Sequence, residues 1–413
     1  MKRVVITGIG CITPIGNDVQ TFWSNLKLGI SGAGKITKFD ASRHKTQIAC
    51  EVKDFQLEKY IDKKSSKKID LCSIYALAAT EEAINDAKID FSSIDKLRCG
   101  VIYASGIGGL QSLEKQLEEY YIQKDPTRFS PFYITRMISN MPAGMITIKY
   151  GFQGLSFTPV SACASSNHAL ICALNFIRTG QADLIIAGGT EASITESAIA
   201  GFNAMKALSV YNENPAVASR PYDINRDGFV IGEGAGTLIL EEYEHAMKRG
   251  AHIYAELIGG GMSSDAYHIT APDPHGKGAC QAMKNALNDG NVLYSEINYI
   301  NTHGTSTPAG DIPELEAIKS VFGEHYREIF ISSTKSMTGH LLGATSAIEA
   351  IACIMTIQES TIPATINTEQ IDPNVPTDTR LVIGKSMRYE VNTVLSNSFG
   401  FGGHNATIIL RKV

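Results

Sequence analysis

The chain has 413 residues, 44% of them hydrophobic and 19% charged, with a net charge of −5, the balance of a globular protein long enough to bury a large core. That balance excludes intrinsic disorder and gives no basic excess that would point to nucleic acid. No apolar run is long enough to span a bilayer, and glycine breaks the opening segment too soon for a secretory signal, so a cytoplasmic location away from membranes is expected. The eight cysteines are scattered with no Cys-x-x-Cys pair, a pattern of free thiols rather than of disulfides or a zinc framework.

Residues 3–7 read as a strand, followed by a glycine-rich turn through Gly8, Gly10 and Gly16. A local basic cluster stands at Lys63, Lys64, Lys67 and Lys68, and a helix is expected over 73–87. The strand 100–104 runs into Ser105-Gly106-Ile107-Gly108-Gly109. Neither glycine cluster has the strand and helix context of a dinucleotide fingerprint, so both read as tight turns.

Next comes the stretch around which the chain is organised: a short extended run from Phe157, the small residues Ser161-Ala162-Cys163-Ala164-Ser165-Ser166, and an apolar helix that ends at Thr179-Gly180. A thiol at a helix N-terminus faces unpaired N–H groups and the positive end of the dipole, and both favour the nucleophilic thiolate. The alternative is a cysteine packed as a small hydrophobe, and this stretch alone leaves both open. Residues 183–189 form a continuous apolar strand of the kind buried on both faces.

A charged helix over 241–250 closes one half and a new strand opens at Ile253, which divides the chain into 1–250 and 251–413. Strands and helices alternate throughout, as in α/β proteins with helix-covered sheets. In the second half a strand (329–333), a small polar turn ending at His340 and a buried helix (343–357) repeat the pattern around Cys163. Two equivalent halves would then point their turns at one site.

The chemistry-bearing residues sit in such turns: His303 in Asn301-Thr302-His303-Gly304-Thr305-Ser306-Thr307, His340, and the glycine backbone of Ser398-Phe399-Gly400-Phe401-Gly402-Gly403. A metal centre and a Cys/His hydrolase are both open on these residues, although no pair has zinc-like spacing.

Four segments in this order carry a more specific signal: Ser161-Ala162-Cys163, His303-Gly304-Thr305-Ser306-Thr307, Lys335-Ser336-Met337-Thr338-Gly339-His340 and Asn397-Ser398-Phe399-Gly400-Phe401-Gly402-Gly403. With them the chain resembles the β-ketoacyl-acyl carrier protein synthases of the elongating, type II kind, from Val4 to Gly403. The resemblance implies a thiolase-type fold, a duplicated five-layer α-β-α-β-α sandwich, and a homodimer. It implies that Cys163 takes an acyl chain as a thioester and that malonyl-acyl carrier protein loses carbon dioxide to attack it, with no cofactor beyond the carrier's phosphopantetheine arm.

By the same resemblance His303 and His340 donate N–H groups to the enolate, Lys335 and Glu349 support them, and Asp311 holds the loops, unless it only caps a helix. The backbone N–H groups of Cys163 and Phe401 form an oxyanion hole, with the Phe401 ring as a gate rather than a core aromatic. Thr305 and Thr307 contact the phosphopantetheine arm, the segment from Gly261 to His268 borders the entrance, and Ile107 floors the acyl pocket. Acyl carrier proteins are acidic, so Lys63, Lys64, Lys67, Lys68, Arg128 and Lys206 are docking candidates, against the plainer reading of a solvated face. Thr302, Ser161 and His404 depart from the family pattern, and His404 is taken as structural. The rival readings are a non-catalytic chain-length-factor subunit, a thiolase, and a ketosynthase of a dedicated polyketide or polyene pathway. Retention of Cys163, His303 and His340 disfavours the first two.

Overall fold

In the computed structural model, which describes residues 1–413, the first strand continues past residue 7: β1 runs Val4–Ile12 and is buried throughout. Gly8 and Gly10, expected in a turn, lie inside it. A Cβ on either would run into the carbonyl oxygens of Ala83 and Ala79, because the helix Leu71–Ala87 (α1) lies directly across the strand. Glycine that admits a helix this close reads locally like glycine in a turn, and the tertiary contact decides between them.

Four more strands of the first half, Cys99–Ala104 (β2), Ser156–Phe157 (β3), Leu184–Glu191 (β4) and Gly234–Glu242 (β5), join β1 in the order β3-β2-β4-β5-β1. The second half supplies Ala255–Ser264 (β6), Tyr299–Asn301 (β7), Phe330–Ser332 (β8), Thr393–Gly400 (β9) and His404–Arg411 (β10), in the order β8-β7-β9-β10-β6. Counted from its own first strand, each set reads 3-2-4-5-1, with two parallel pairings followed by two antiparallel ones. Identical order and direction mark the duplication of one unit. β1 and β6 pair antiparallel at Val5↔Glu256 and Ile6↔Ala255, which joins the sets into one sheet, and the short strand Arg380–Leu381, parallel to β8 at its outer edge, makes it 11-stranded.

Side-chain alternation then builds the layers. In β4, Leu184 and Ile186 pack outward under α1 while Ile185 and Ala187 face the largest core, which explains why this strand is apolar without interruption. That core holds the helices Ser165–Arg178 (α2) and Thr345–Glu359 (α5), sandwiched between the two strand sets. On the far side Ile258, Leu395 and Ile409 pack under Lys277–Asp289 (α3) and Asp311–Phe322 (α4). The sequence of layers is α-β-α-β-α. No helix is long and apolar enough to cross a membrane.

Candidate active site

Two helical turns meet at the centre of the molecule. Ala162–Ala164 leads into α2 and Leu342–Ala344 into α5, and the residue opening each turn has positive φ, 51° at Ala162 and 48° at Leu342. The internal repeat therefore aligns Cys163 with Gly343, not with His340, which lies at the start of the second turn's approach. Non-glycine residues held in this region of backbone space are strained and persist only where the surroundings over-determine them. Around Cys163 they do: Ser165 Oγ accepts from Ser161 N (2.8 Å) and donates to the Ala162 carbonyl (2.6 Å), and Ser398 Oγ donates to the Cys163 carbonyl (2.8 Å).

His340 arrives opposite the thiol. Its backbone N–H donates to Val230 O (2.8 Å), and Gly232 N donates to His340 O (2.8 Å). Phe229 packs edge-on against the ring, with centroids 5.2 Å apart. His340 Nε2 lies 3.0 Å from Cys163 Sγ, and Nδ1 lies 2.9 Å from Thr345 Oγ1. His303 follows β7, and its ring stands nearly perpendicular to that of His340 with centroids 5.3 Å apart. Its position is set by Glu314 on α4, whose carboxylate accepts the backbone N–H groups of His303 and Gly304, both at 2.8 Å.

Behind the histidines Lys335 Nζ and Glu349 Oε1 form a buried ion pair at 2.6 Å. Asp311 opens α4 and is buried; it accepts from Tyr222 N (3.0 Å) and Thr307 N (3.3 Å) and lies 3.5 Å from the Arg226 guanidinium. It therefore ties three loops together, while the capping position itself belongs to Gly310.

The electrostatics overturn one expectation. Burial pushes the Cys163 thiol up to about 12, against the pull of Lys335 and of the backbone N–H groups of Phe401 and Cys163 itself. The helix-end argument names a smaller effect than desolvation, and the resting group is a neutral thiol. Burial, and then the Lys335 charge, hold both His303 and His340 well below the ordinary histidine range. Both imidazoles are therefore neutral, each with one N–H to give. The sulfur and ring nitrogens lie within 4.8 Å of one another, the spacing of a metal-ligand set, but the charge that depresses both imidazoles also repels a cation among them.

The β9–β10 hairpin supplies the opposite wall. A Cβ on Gly400 would lie 2.7 Å from Ser161 O and 3.0 Å from Cys163 N, so only glycine lets this backbone approach the cysteine turn and aim the Phe401 N–H at the sulfur. Gly402 and Gly403 take positive φ, 84° and 72°, to close the hairpin. The turn is stitched to the segment after β6: Gly402 N donates to Ile269 O (2.8 Å), Asp265 N donates to Gly403 O (2.9 Å), and Asn405 Nδ2 donates to Asp265 Oδ1 (2.7 Å).

A cavity of about 570 Å³ opens over these groups. Cys163, His303, His340, Thr305, Thr307, Phe401, Ile107 and Lys206 line it; Lys335 and Glu349 stand behind its wall. Lys63, Lys64, Lys67, Lys68 and Arg128 are exposed and away from it. Lys68 reaches over the Phe132 ring (5.7 Å), and Arg128 pairs with Asp125 (3.5 Å). His404 opens β10 opposite Gly400, exposed and outside the lining. Glu314 was not singled out from the sequence. Its only local signal is an acid in a helix's first turn, which reads as a complement to the dipole.

The family models described as "Beta-ketoacyl synthase, N-terminal domain" and "Beta-ketoacyl synthase, C-terminal domain" match residues 1–246 and 254–369. The chain is 48% identical to the protein named 3-oxoacyl-[acyl-carrier-protein] synthase 2 of Synechocystis, over 100% of this chain and 98% of that one. A protein of the same name from Coxiella burnetii is 45% identical over 100% and 99% of the two chains. Among solved structures, a Beta-ketoacyl synthase from Burkholderia phymatum superposes with a TM-score of 0.93 at 34% identity, covering 100% of both chains. A type II polyketide ketosynthase in complex with its acyl-carrier protein gives 0.92 at 36%, covering 100% of this chain and 99% of that one.

Proposed function

The chain belongs to the β-ketoacyl synthase family, and on that premise we propose how its residues carry out the condensation. It is an acyltransferase that elongates acyl chains in fatty acid synthesis. The observation that carries the assignment of roles is the convergence of one thiol, two neutral imidazoles and the Phe401 N–H in a single cavity.

In the first half-reaction Cys163 Sγ attacks the thioester carbonyl of an acyl carrier protein. The thiol proton passes to His340 Nε2, 3.0 Å away, and on to the departing phosphopantetheine thiolate. The N–H groups of Cys163 and Phe401 receive the tetrahedral oxyanion. In the second, malonyl carrier protein loses carbon dioxide, and the N–H groups of His303 and His340 hold the charge that develops on its thioester oxygen. The enolate carbon attacks the acyl-Cys163 thioester; the cysteine leaves and takes up one proton, and a β-ketoacyl chain two carbons longer departs on the carrier. The two halves use the two tautomers of His340: with the proton on Nδ1, donated to Thr345 Oγ1, Nε2 is free to take the thiol proton, and with the proton on Nε2, donated to the enolate, Nδ1 accepts from the Thr345 hydroxyl.

Thr305 and Thr307, whose hydroxyls lie 3.0 Å apart on the cavity wall, receive the phosphopantetheine arm, and Phe401, half-buried between glycines, gates the acylated site. Lys206 on the rim, with Lys63, Lys64, Lys67, Lys68 and Arg128 further out, forms the basic surface for an acidic carrier. The enzyme acts in the cytoplasm without a dissociable cofactor and as a homodimer. The dimer is supported by the edge strand β3, both of whose residues are exposed, and by the exposed apolar side chains of Phe132, Ile134 and Val160. The halves 1–250 and 251–413 each carry one copy of the repeated strand order.

A ketosynthase of a dedicated polyketide pathway is less favoured, because the relatives named 3-oxoacyl-[acyl-carrier-protein] synthase 2 are 45–48% identical and the type II polyketide ketosynthase 36%. Incubation of Cys163→Ala with acyl and malonyl carrier proteins tests the central role. Loss of all β-ketoacyl product is expected, and undiminished product would remove Cys163 from the chemistry.

A further inference from the structure

One fully buried carboxylate near the site has no place in the reaction above. Glu191 ends β4 with no accessible surface, and every partner it has is a neutral donor: Gly106 N (2.9 Å), Ile107 N (3.3 Å), Gly343 N (3.1 Å) and the Ser193 hydroxyl (2.8 Å). A buried carboxylate without a cation is an arrangement that an apolar side chain would make less costly. The geometry around it is correspondingly exacting. A Cβ on Gly106 would lie 2.7 Å from Glu191 Oε2, and one on Gly343 would run into Gly106 N. The two turns therefore meet backbone to backbone with the carboxylate wedged between their N–H groups.

These turns carry two walls of the cavity. Ile107 projects into it from one and Leu342 from the other. Ile107 is 39% exposed, so its side chain has room to move, while its own N–H is held by Glu191 and that of the following Gly108 by Ser105 Oγ at 3.0 Å.

We propose that Glu191 is a positioning residue that sets the depth of the acyl pocket by clamping the backbone of the Ile107 turn to that of Leu342 and Gly343. The inference rests on the reading of Ile107 as the pocket floor. With the backbone fixed, only the Ile107 side chain yields to a long chain; with the clamp loosened, the whole turn yields and discrimination between chain lengths relaxes.

Glu191→Gln keeps the volume but turns an NH2 group towards at least one of the backbone donors, and Ser193→Ala removes one bond and keeps the charge. The test compares acylation of Cys163 by hexanoyl and myristoyl carrier protein in the intact enzyme, followed by mass spectrometry, with carbon dioxide release from malonyl carrier protein alongside. Glu191→Gln is expected to shift the myristoyl-to-hexanoyl ratio of kcat/KM by about tenfold towards the longer chain, and Ser193→Ala by about threefold in the same direction. A ratio within about twofold of wild type in both variants overturns the clamp, as does a parallel fall of both acylations and of carbon dioxide release. Ile107→Trp, measured in parallel, tests the premise. If it leaves the chain-length profile unchanged, Ile107 is not the floor and the proposal falls with that reading. If it shortens the profile while the Glu191 and Ser193 variants do not move it, the clamp alone is wrong.

Discussion

Gly400→Ala is the sharpest test of the oxyanion hole, because it adds one methyl group and touches no reacting side chain. The new Cβ would lie 2.7 Å from Ser161 O, 3.0 Å from Cys163 N and 3.2 Å from Ala164 N. Ordinary contacts at such atoms are about 3.5 Å. All three neighbours are backbone, so no side chain can swing aside, and the Phe401 and Cys163 turns must separate by roughly 0.5 Å or more. That displacement carries the Phe401 N–H away from the position of the tetrahedral oxygen. Removing one such donor costs about 3 kcal/mol, or a few hundredfold in rate. The assay is acylation of Cys163 by an acyl carrier protein, with carbon dioxide release from the malonyl substrate as the internal control, since that step draws on His303 and His340. Acylation slowed about a hundredfold or more with carbon dioxide release reduced only severalfold is the expected result. Acylation within about threefold of wild type would refute the oxyanion-hole geometry, and equal loss of both steps would show that the whole site had moved.

On the proposed mechanism His340→Ala removes one of the two enolate donors and should slow carbon dioxide release from malonyl carrier protein by about a hundredfold or more; unchanged release would take His340 out of that role. Lys206→Glu on the cavity rim should raise the apparent KM for the carrier protein, more so at low salt, without altering turnover of a small thioester analogue, and equal effects on both substrates would contradict docking at this face. Because burial pushes the Cys163 thiol up to about 12, the thiolate fraction at neutral pH lies on the rising limb of its titration. Alkylation of Cys163 by iodoacetamide should accordingly climb with pH through neutrality and beyond about pH 9 without levelling. A plateau near pH 7 would mean that the helix end, not burial, sets its charge.

How far local sequence reaches is visible residue by residue. The run 183–189 is legible as a strand buried on both faces because every residue is apolar, and in the fold alternate residues serve two different cores. The small-residue turn and apolar helix at Cys163 are legible for the same reason, since their pattern is written in consecutive residues. The repeat was visible but its register was not. Sequence set His340 against Cys163, whereas backbone geometry sets Gly343 there and brings His340 in from the segment before. Glu191 and Glu314 escaped notice because what they bind is backbone N–H, which has no signature in sequence, and Glu191's partners at Gly106 and Gly343 lie far away along the chain.

The amino-acid sequence by itself determined the alternation of strands and helices, the turn chemistry at Cys163, His303, His340 and Phe401, and through their order the family. Only the tertiary structure decided the state of those groups. A thiol before a helix is locally inclined to ionise, and it remains neutral because the fold removes it from water at a cost that the helix end does not offset. Gly8 and Gly10 are locally turn residues, and they lie within a strand because α1 passes too close for any side chain. Propensity and dipole act over a few residues, whereas desolvation and close packing depend on elements that meet only when the chain has folded.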